Sequence, residues 1–221
     1  AMTRLDRHDR LLVIGFAAIA GYVDAVGFLA SSGFFLSFMS GNSTRFAVGL
    51  SSGADYFAIA GALLASFVAG VTAGSLIGRT VQLHNRRRQA LLMGMIATAL
   101  FVAPWIAQSG YLLPALCLAA FAMGTENTLY EENGTITFGL TYMTGALVKV
   151  GQGLAVWISG GERFGWAPYA LLWMGLIGGA ATGAALFQRF GFASLWLGAS
   201  LSGIFALILL TLGENRTERA S

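Results

Sequence analysis

Charge is what this sequence has least of. Only 10% of its 221 residues are Asp, Glu, Lys or Arg, against 56% hydrophobic, and the mean hydropathy is +0.70. Its apolar runs exceed what one soluble core could bury, which excludes an ordinary soluble domain and leaves an integral membrane protein in contact with a lipid bilayer. Cysteine is almost absent too: Cys117 stands alone in an apolar stretch, so no internal disulfide can form and the redox compartment stays open. His8 and His84 lie in polar flanks without Cys or carboxylate partners at ligand spacing, so neither a metal site nor a cofactor is expected. Walker sequence, nucleophile elbow and zinc-protease motif are all missing, and the chain is not read as an enzyme. A formal charge of +3 is compatible with nucleic-acid binding, but all 13 basic residues except Arg45 and Lys149 fall between or beyond apolar stretches, as topology signals do. No basic, aromatic-interleaved surface remains for nucleic acid.

What the chain has is apolar length. Stretches at about 11–30, 56–78, 90–108, 111–128, 168–188 and 192–213 predict helices, each near the ~20 residues that cross a bilayer. The first follows a basic N-terminus, is interrupted by Asp24 and lacks a cleavage site, so it reads as a membrane helix rather than a removable signal. Trp105, Trp157 and Trp166 near segment ends fit interfacial anchors. Two further segments, about 34–52 and 135–157, are apolar but interrupted by Ser40-Gly41-Asn42-Ser43-Thr44-Arg45 and Thr144-Gly145-Ala146-Leu147-Val148-Lys149.

Counting charge decides whether those two segments cross. If all eight cross with the N-terminus inside, the loop cations split six inside to five outside and the positive-inside rule fails. If both are re-entrant, Arg4, Arg7, Arg10, Arg79, Arg86, Arg87, Arg88, Arg163, Arg216 and Arg219 are inside and only Arg189 is outside. The expectation is therefore an all-α polytopic membrane protein with six crossings, two re-entrant hairpins and both termini cytoplasmic.

Three crossings per half would invert the second half, and the sequence carries the matching repeat. Met39, Gly41, Arg45, Gly49 and Leu50 map onto Met143, Gly145, Lys149, Gly153 and Leu154 by one offset of 104 (143 minus 39). Repeat 1 runs over about 11–108 and repeat 2 over about 111–213, within a single membrane domain at 1–221. Gly70, Gly74 and Gly78 in the first half, and Gly175, Gly179 and Gly183 in the second, put glycine on one helix face. Such faces serve intramolecular packing or a homodimer equally well.

Backbone breaks at membrane depth survive only where protein or a water-filled cavity satisfies them, so the breaks at Gly41 and Gly145 point inward. If Asn42, Ser43 or Thr44 caps one half-helix and Thr144 the other, two positive helix ends face each other and suit an anion. Arg45 and Lys149 would then need a nearby negative group, for which Asp24 and the Glu126-Asn127 pair are the candidates, either as internal ion pairs or as charges shared with a substrate or proton. Met39 and Met143 are read as gap-fillers, Tyr22, Tyr130 and Tyr142 as packing, and Glu131-Glu132 as a solvated helix end. Three matches to the glycosylation acceptor pattern, at Asn42, Asn133 and Asn215, are assigned no role.

Gly21-Tyr22-Val23-Asp24-Ala25 followed by Phe38-Met39-Ser40-Gly41-Asn42, with Gly124 to Asn127 followed by Met143-Thr144-Gly145, resembles the YoaK-like family of small bacterial inner-membrane proteins. In that family the first motif ends Thr-Gly-Asn, so Ser40 departs from it, and the second carries an amide where this chain has Glu126. The resemblance implies about six membrane helices and a bacterial inner-membrane address, but no substrate.

Together these features predict a secondary transporter of a small polar, anionic solute, with Asp24 or Glu126 as a proton-coupling group. A channel, a non-transporting scaffold, and an intramembrane enzyme using Asp24 and Glu126 as an acid/base pair are the alternatives.

Overall fold

The computed structural model describes residues 7–80, 85–132, 135–136 and 143–218. His84, Tyr142 and the Asn133-Gly134 step, along with Arg4 and Arg219, lie outside the described residues. The described chain is helical apart from a small hairpin: α1 Arg7–Ala30, α2 Met39–Ser52, α3 Tyr56–Thr80, α4 Asn85–Gln108, α5 Leu112–Glu126, β1 Glu131–Glu132, β2 Thr135–Ile136, α6 Met143–Ile158, α7 Ala167–Phe190 and α8 Leu195–Glu218. β1 and β2 pair antiparallel, and a 3-10 turn, Gly191–Ser194, joins α7 to α8. In lipid every backbone polar group must find its partner within the protein, and a helix does this within one segment. Helices long and apolar enough to cross a membrane cover His8–Ala30, Tyr56–Thr80, Asn85–Gln108 and the stretch Ala167–Leu212 that holds α7 and most of α8. The chain is an all-α polytopic membrane protein.

α2 and α6 have 14 and 16 residues, about 21 and 24 Å at ~1.5 Å per residue, short of a ~30 Å hydrocarbon core. α2 is set off at its start by a left-handed turn with Ser32 at φ 58° and Gly33 at φ 117°. At its end Gly53, at φ 66°, returns its N–H to the Gly49 carbonyl, a left-handed helix stop that costs glycine nothing.

The helices pair across the halves. α1 packs on α7 and α5 on α3; α2 leans on α3 and α6 on α7; α4 lies against α5 and α8. The tightest of these contacts bring glycine against backbone. A Cβ on Gly21 would collide with the Leu176 carbonyl oxygen, and one on Gly124 with that of Phe67. Likewise Gly179 faces the Ala18 carbonyl and Gly70 that of Phe121.

These contacts also relate the two glycine stripes. Three residues, 53–55, join α2 to α3, but eight, 159–166, join α6 to α7, and beyond this longer connection the packing contacts match at an offset of 109 (176 minus 67) instead of 104. Gly70 and Gly179 make matching contacts, each against a backbone carbonyl of the helix packed on it. At that offset Phe67 corresponds to Leu176, while Gly21 and Ala18 correspond to Gly124 and Phe121 at an offset of 103 (124 minus 21).

Candidate functional site

Asp24 sits on α1 facing the turn that leads into α2. Its carboxylate accepts the Leu36 N–H at 2.7 Å, the Ser37 N–H at 2.6 Å and the Ser37 hydroxyl at 2.6 Å. Asn42 is buried and clamps the same segment from the other side, accepting the Phe35 N–H at 3.0 Å and donating to its carbonyl at 2.7 Å. Two polar side chains thus fix residues 35–37, whose backbone would otherwise lack partners away from water.

These clamps relocate the break. α2 begins at Met39 with Phe38 in the cap position and no side-chain cap, so Asn42, Ser43 and Thr44 lie within the helix instead of capping it. Ser43 and Thr44 are exposed and donate back to the carbonyls of Met39 and Ser40, at 2.8 and 3.2 Å. Gly41 is the third residue of α2 and Gly145 the third of α6, past the breaks they were expected to form. Thr144, the second residue of α6, is exposed and is no N-cap.

The expected ion pairs are absent among the described residues. Arg45 lies over the Phe34 ring, 5.0 Å from its centroid, close to Gly33. Lys149 is exposed and donates to Gln152 at 3.1 Å. Neither meets a carboxylate; the ion pair recorded among the described residues joins Arg86 to Asp9. Glu126 ends α5 fully buried, with no hydrogen-bond partner for either carboxyl oxygen. Asn127 follows it, buried, and donates to the Met123 carbonyl at 2.9 Å.

Glu131 is buried, accepting the Ser75 hydroxyl on its carboxylate and an Arg88 guanidinium N–H on its backbone carbonyl at 2.6 Å, so it is not the solvated helix end that adjacent glutamates suggest. Tyr22 is buried and donates to the Ser194 carbonyl at 2.7 Å, and Tyr130 packs on Phe16.

Two cavities flank the start of α2. The first, about 700 Å³, is lined by Ser40, Phe67, Val71, Asn127, Thr144 and Gly145. The second, about 450 Å³, is lined by Gly21, Asp24, Phe35, Leu176, Ala180 and Ala184. Ser37, Phe38 and Met143 line both. At the offsets found in the helix packing three lining residues of the first cavity have counterparts in the second: Phe67 and Val71 match Leu176 and Ala180, and Asn127 matches Asp24. Of the residues singled out by sequence, Asp24, Asn127, Thr144 and Gly145 line a cavity; Asn42, Ser43, Thr44, Arg45, Glu126 and Lys149 line neither. Phe38 and Met143, the shared wall, carry no polar signature and were visible in the sequence only as flanks of the repeated motif.

The long apolar helices and the many exposed large apolar side chains on them, such as Leu11, Val68, Leu171 and Leu207, define a multi-pass helical membrane protein whose outer surface meets lipid. Within that class, the chain belongs to the family described as "Protein of unknown function (DUF1275)", whose model matches residues 12–208. It is 35% identical over 187 residues to the UPF0700 transmembrane protein RA0705 of Rhizobium meliloti (strain 1021), an alignment covering 84% of this chain and 79% of that protein. No solved structure matches it.

Proposed function

We propose that the chain is a proton-coupled secondary transporter of a small polar, anionic solute in a bacterial inner membrane, built from two inverted repeats with α2 and α6 as re-entrant helices and both termini cytoplasmic. The observation that carries this reading is the pair of cavities meeting at one wall of Ser37, Phe38 and Met143, with three matched residues between their outer linings. In inverted-repeat transporters the substrate binds near the midplane at the junction of the halves, and equivalent paths to the two faces open alternately. The lengths of α2 and α6 and the exchange of packing partners between halves support the same arrangement.

The anionic preference rests on the larger cavity. The first turns of α2 and α6 both reach it, at Met39-Ser40 and Met143-Gly145, and first-turn N–H groups lack intrahelical acceptors and carry the positive end of the helix dipole. The polar motif side chains there, Ser40, Asn127 and Thr144, are all uncharged, where the smaller cavity has the Asp24 carboxylate. A channel would need the wall at Phe38 and Met143 to stand open, whereas here it separates the cavities.

Purified protein in liposomes, assayed for uptake of small carboxylate and phosphate anions under an imposed pH gradient, tests this. A Cβ at Gly145 meets nothing within 4 Å, so Gly145→Leu should fill the cavity and abolish uptake while the protein stays folded. Unchanged uptake in that variant, or absence of gradient-driven anion movement in the parent, would overturn the reading.

A further inference from the structure

A third concavity lies away from the two cavities, on the lipid side of α4, α5 and α8. Its volume is about 950 Å³. Ala90, Gly94 and Thr98 form its floor at every fourth residue of α4, Phe121 and Leu210 stand on its sides, and Arg87 is at its mouth. A Cβ on Gly94 would meet nothing within 4 Å, so the groove is open at its centre. The Thr98 hydroxyl is spent on the Gly94 carbonyl at 2.8 Å, which leaves the floor apolar. From Arg87 to Val102, the groove follows sixteen residues of α4, about 22 Å over the rises between them at ~1.5 Å each, more than half of a ~30 Å hydrocarbon core. With the headgroup region included, half of a ~40–45 Å bilayer, that is the depth of one leaflet.

The mouth carries the second half of the argument. Arg86 pairs with Asp9 and Arg88 donates to the Glu131 carbonyl, but Arg87 is exposed with no hydrogen bond or ion pair among the described residues. An uncommitted guanidinium at the polar edge of an apolar slot matches a phosphate with a hydrocarbon tail, since arginine recognises phosphate with two parallel N–H donors. We propose that this groove binds an anionic phospholipid, its phosphate on Arg87 and one acyl chain between α4, α5 and α8. A second copy of the chain fits less well. A two-fold contact brings the same patch to itself, and no carboxylate lines this one to meet Arg87.

Native mass spectrometry of the full chain in detergent tests the assignment, with phosphatidylglycerol and phosphatidylcholine of identical acyl chains as probes. The parent should retain one phosphatidylglycerol in preference to phosphatidylcholine, and Arg87→Gln should cut that preference about fivefold, the effect of ~1 kcal/mol for one basic residue near an anionic headgroup. Arg87→Lys should keep most of it. Gly94→Leu should lower retention of both lipids. Equal retention of the two lipids by the parent, or a preference that survives Arg87→Gln, overturns the proposal. So does a parent dimer that Gly94→Leu turns into a monomer, which would make a second copy the occupant. Arg87 is exposed and its replacement leaves the packing intact, so the outcome stands even if Gly94→Leu fails to fold.

Discussion

Ser37 approaches the Asp24 carboxylate twice, with its backbone N–H at 2.6 Å and its hydroxyl at 2.6 Å. The carboxylate, which the sequence suggested as a partner for Arg45, instead holds the turn into α2.

An asparagine at this position can still accept both backbone N–H groups on its carbonyl oxygen and donate its amide to the Ser37 hydroxyl. Asp24→Asn should therefore melt close to the parent, whereas Asp24→Ala, which strands buried donors, should lose about 1–3 kcal/mol. Thermal unfolding in detergent distinguishes them, and equal destabilisation by the two would rule out the clamp.

Gly178 and Gly179 are neighbours on α7 with opposite surroundings. A Cβ on Gly179 would strike the Ala18 carbonyl, while one on Gly178 meets nothing within 4 Å. Gly179→Ala should cost about 1–3 kcal/mol through backbone displacement, and Gly178→Ala should be neutral or stabilising by about 0.5–1 kcal/mol through helix propensity. The corresponding Gly70→Ala on α3 should resemble Gly179→Ala. Matching melting curves for Gly178→Ala and Gly179→Ala would contradict the close approach of α1 and α7.

Glu126 is fully buried at the C-terminal end of α5 with both carboxyl oxygens unpartnered. Neither the burial nor the negative end of the helix dipole favours it, so a stability rule is broken here without visible compensation. Glu126→Met should raise stability by about 1–3 kcal/mol and abolish the dependence of anion uptake on the pH gradient. A variant that is less stable than the parent would show that Glu126 has partners the fold depends on.

Arg88 and Gln89 hold the chain beyond α5, donating to the carbonyls of Glu131 at 2.6 Å and Leu129 at 3.1 Å. Arg88→Met leaves the Glu131 carbonyl without this donor. Hydrogen exchange should rise at residues 128–132 and stay unchanged along α7; a uniform rise would indicate global loosening instead.

The helices were legible because hydrophobic length is a direct consequence of bilayer thickness, and α1, α3, α4, α5, α7 and α8 fall where the apolar runs predict them. Of the repeated motif, Asp24, Asn127, Thr144 and Gly145 reach cavities. The partners of its charges were not legible. Charge pairing in three dimensions depends on which way a side chain leaves its helix, and Arg45 leaves toward Phe34, where an aromatic face takes the place of a carboxylate. Nor could spacing reveal that Asn42 lies inside α2, because the turn from Ser31 to Phe38 is held by Asp24 and Asn42 from a distance, with no capping residue of its own at the helix start. The longer connection before α7 hid the matching contacts of Gly70 and Gly179, since sequence registers every residue and the fold registers contacts.

The exchange of helix partners between halves bears on how the chain is made. α1 ends at Ala30, and its mate α7 does not start until Ala167. At ~5–20 residues per second, the first helix waits in the membrane for roughly 7–27 seconds of synthesis before that mate exists. The amino-terminal half cannot mature by itself, and a ribosome that stalls after α4 leaves in the bilayer a fragment whose glycine faces are open to any passing helix.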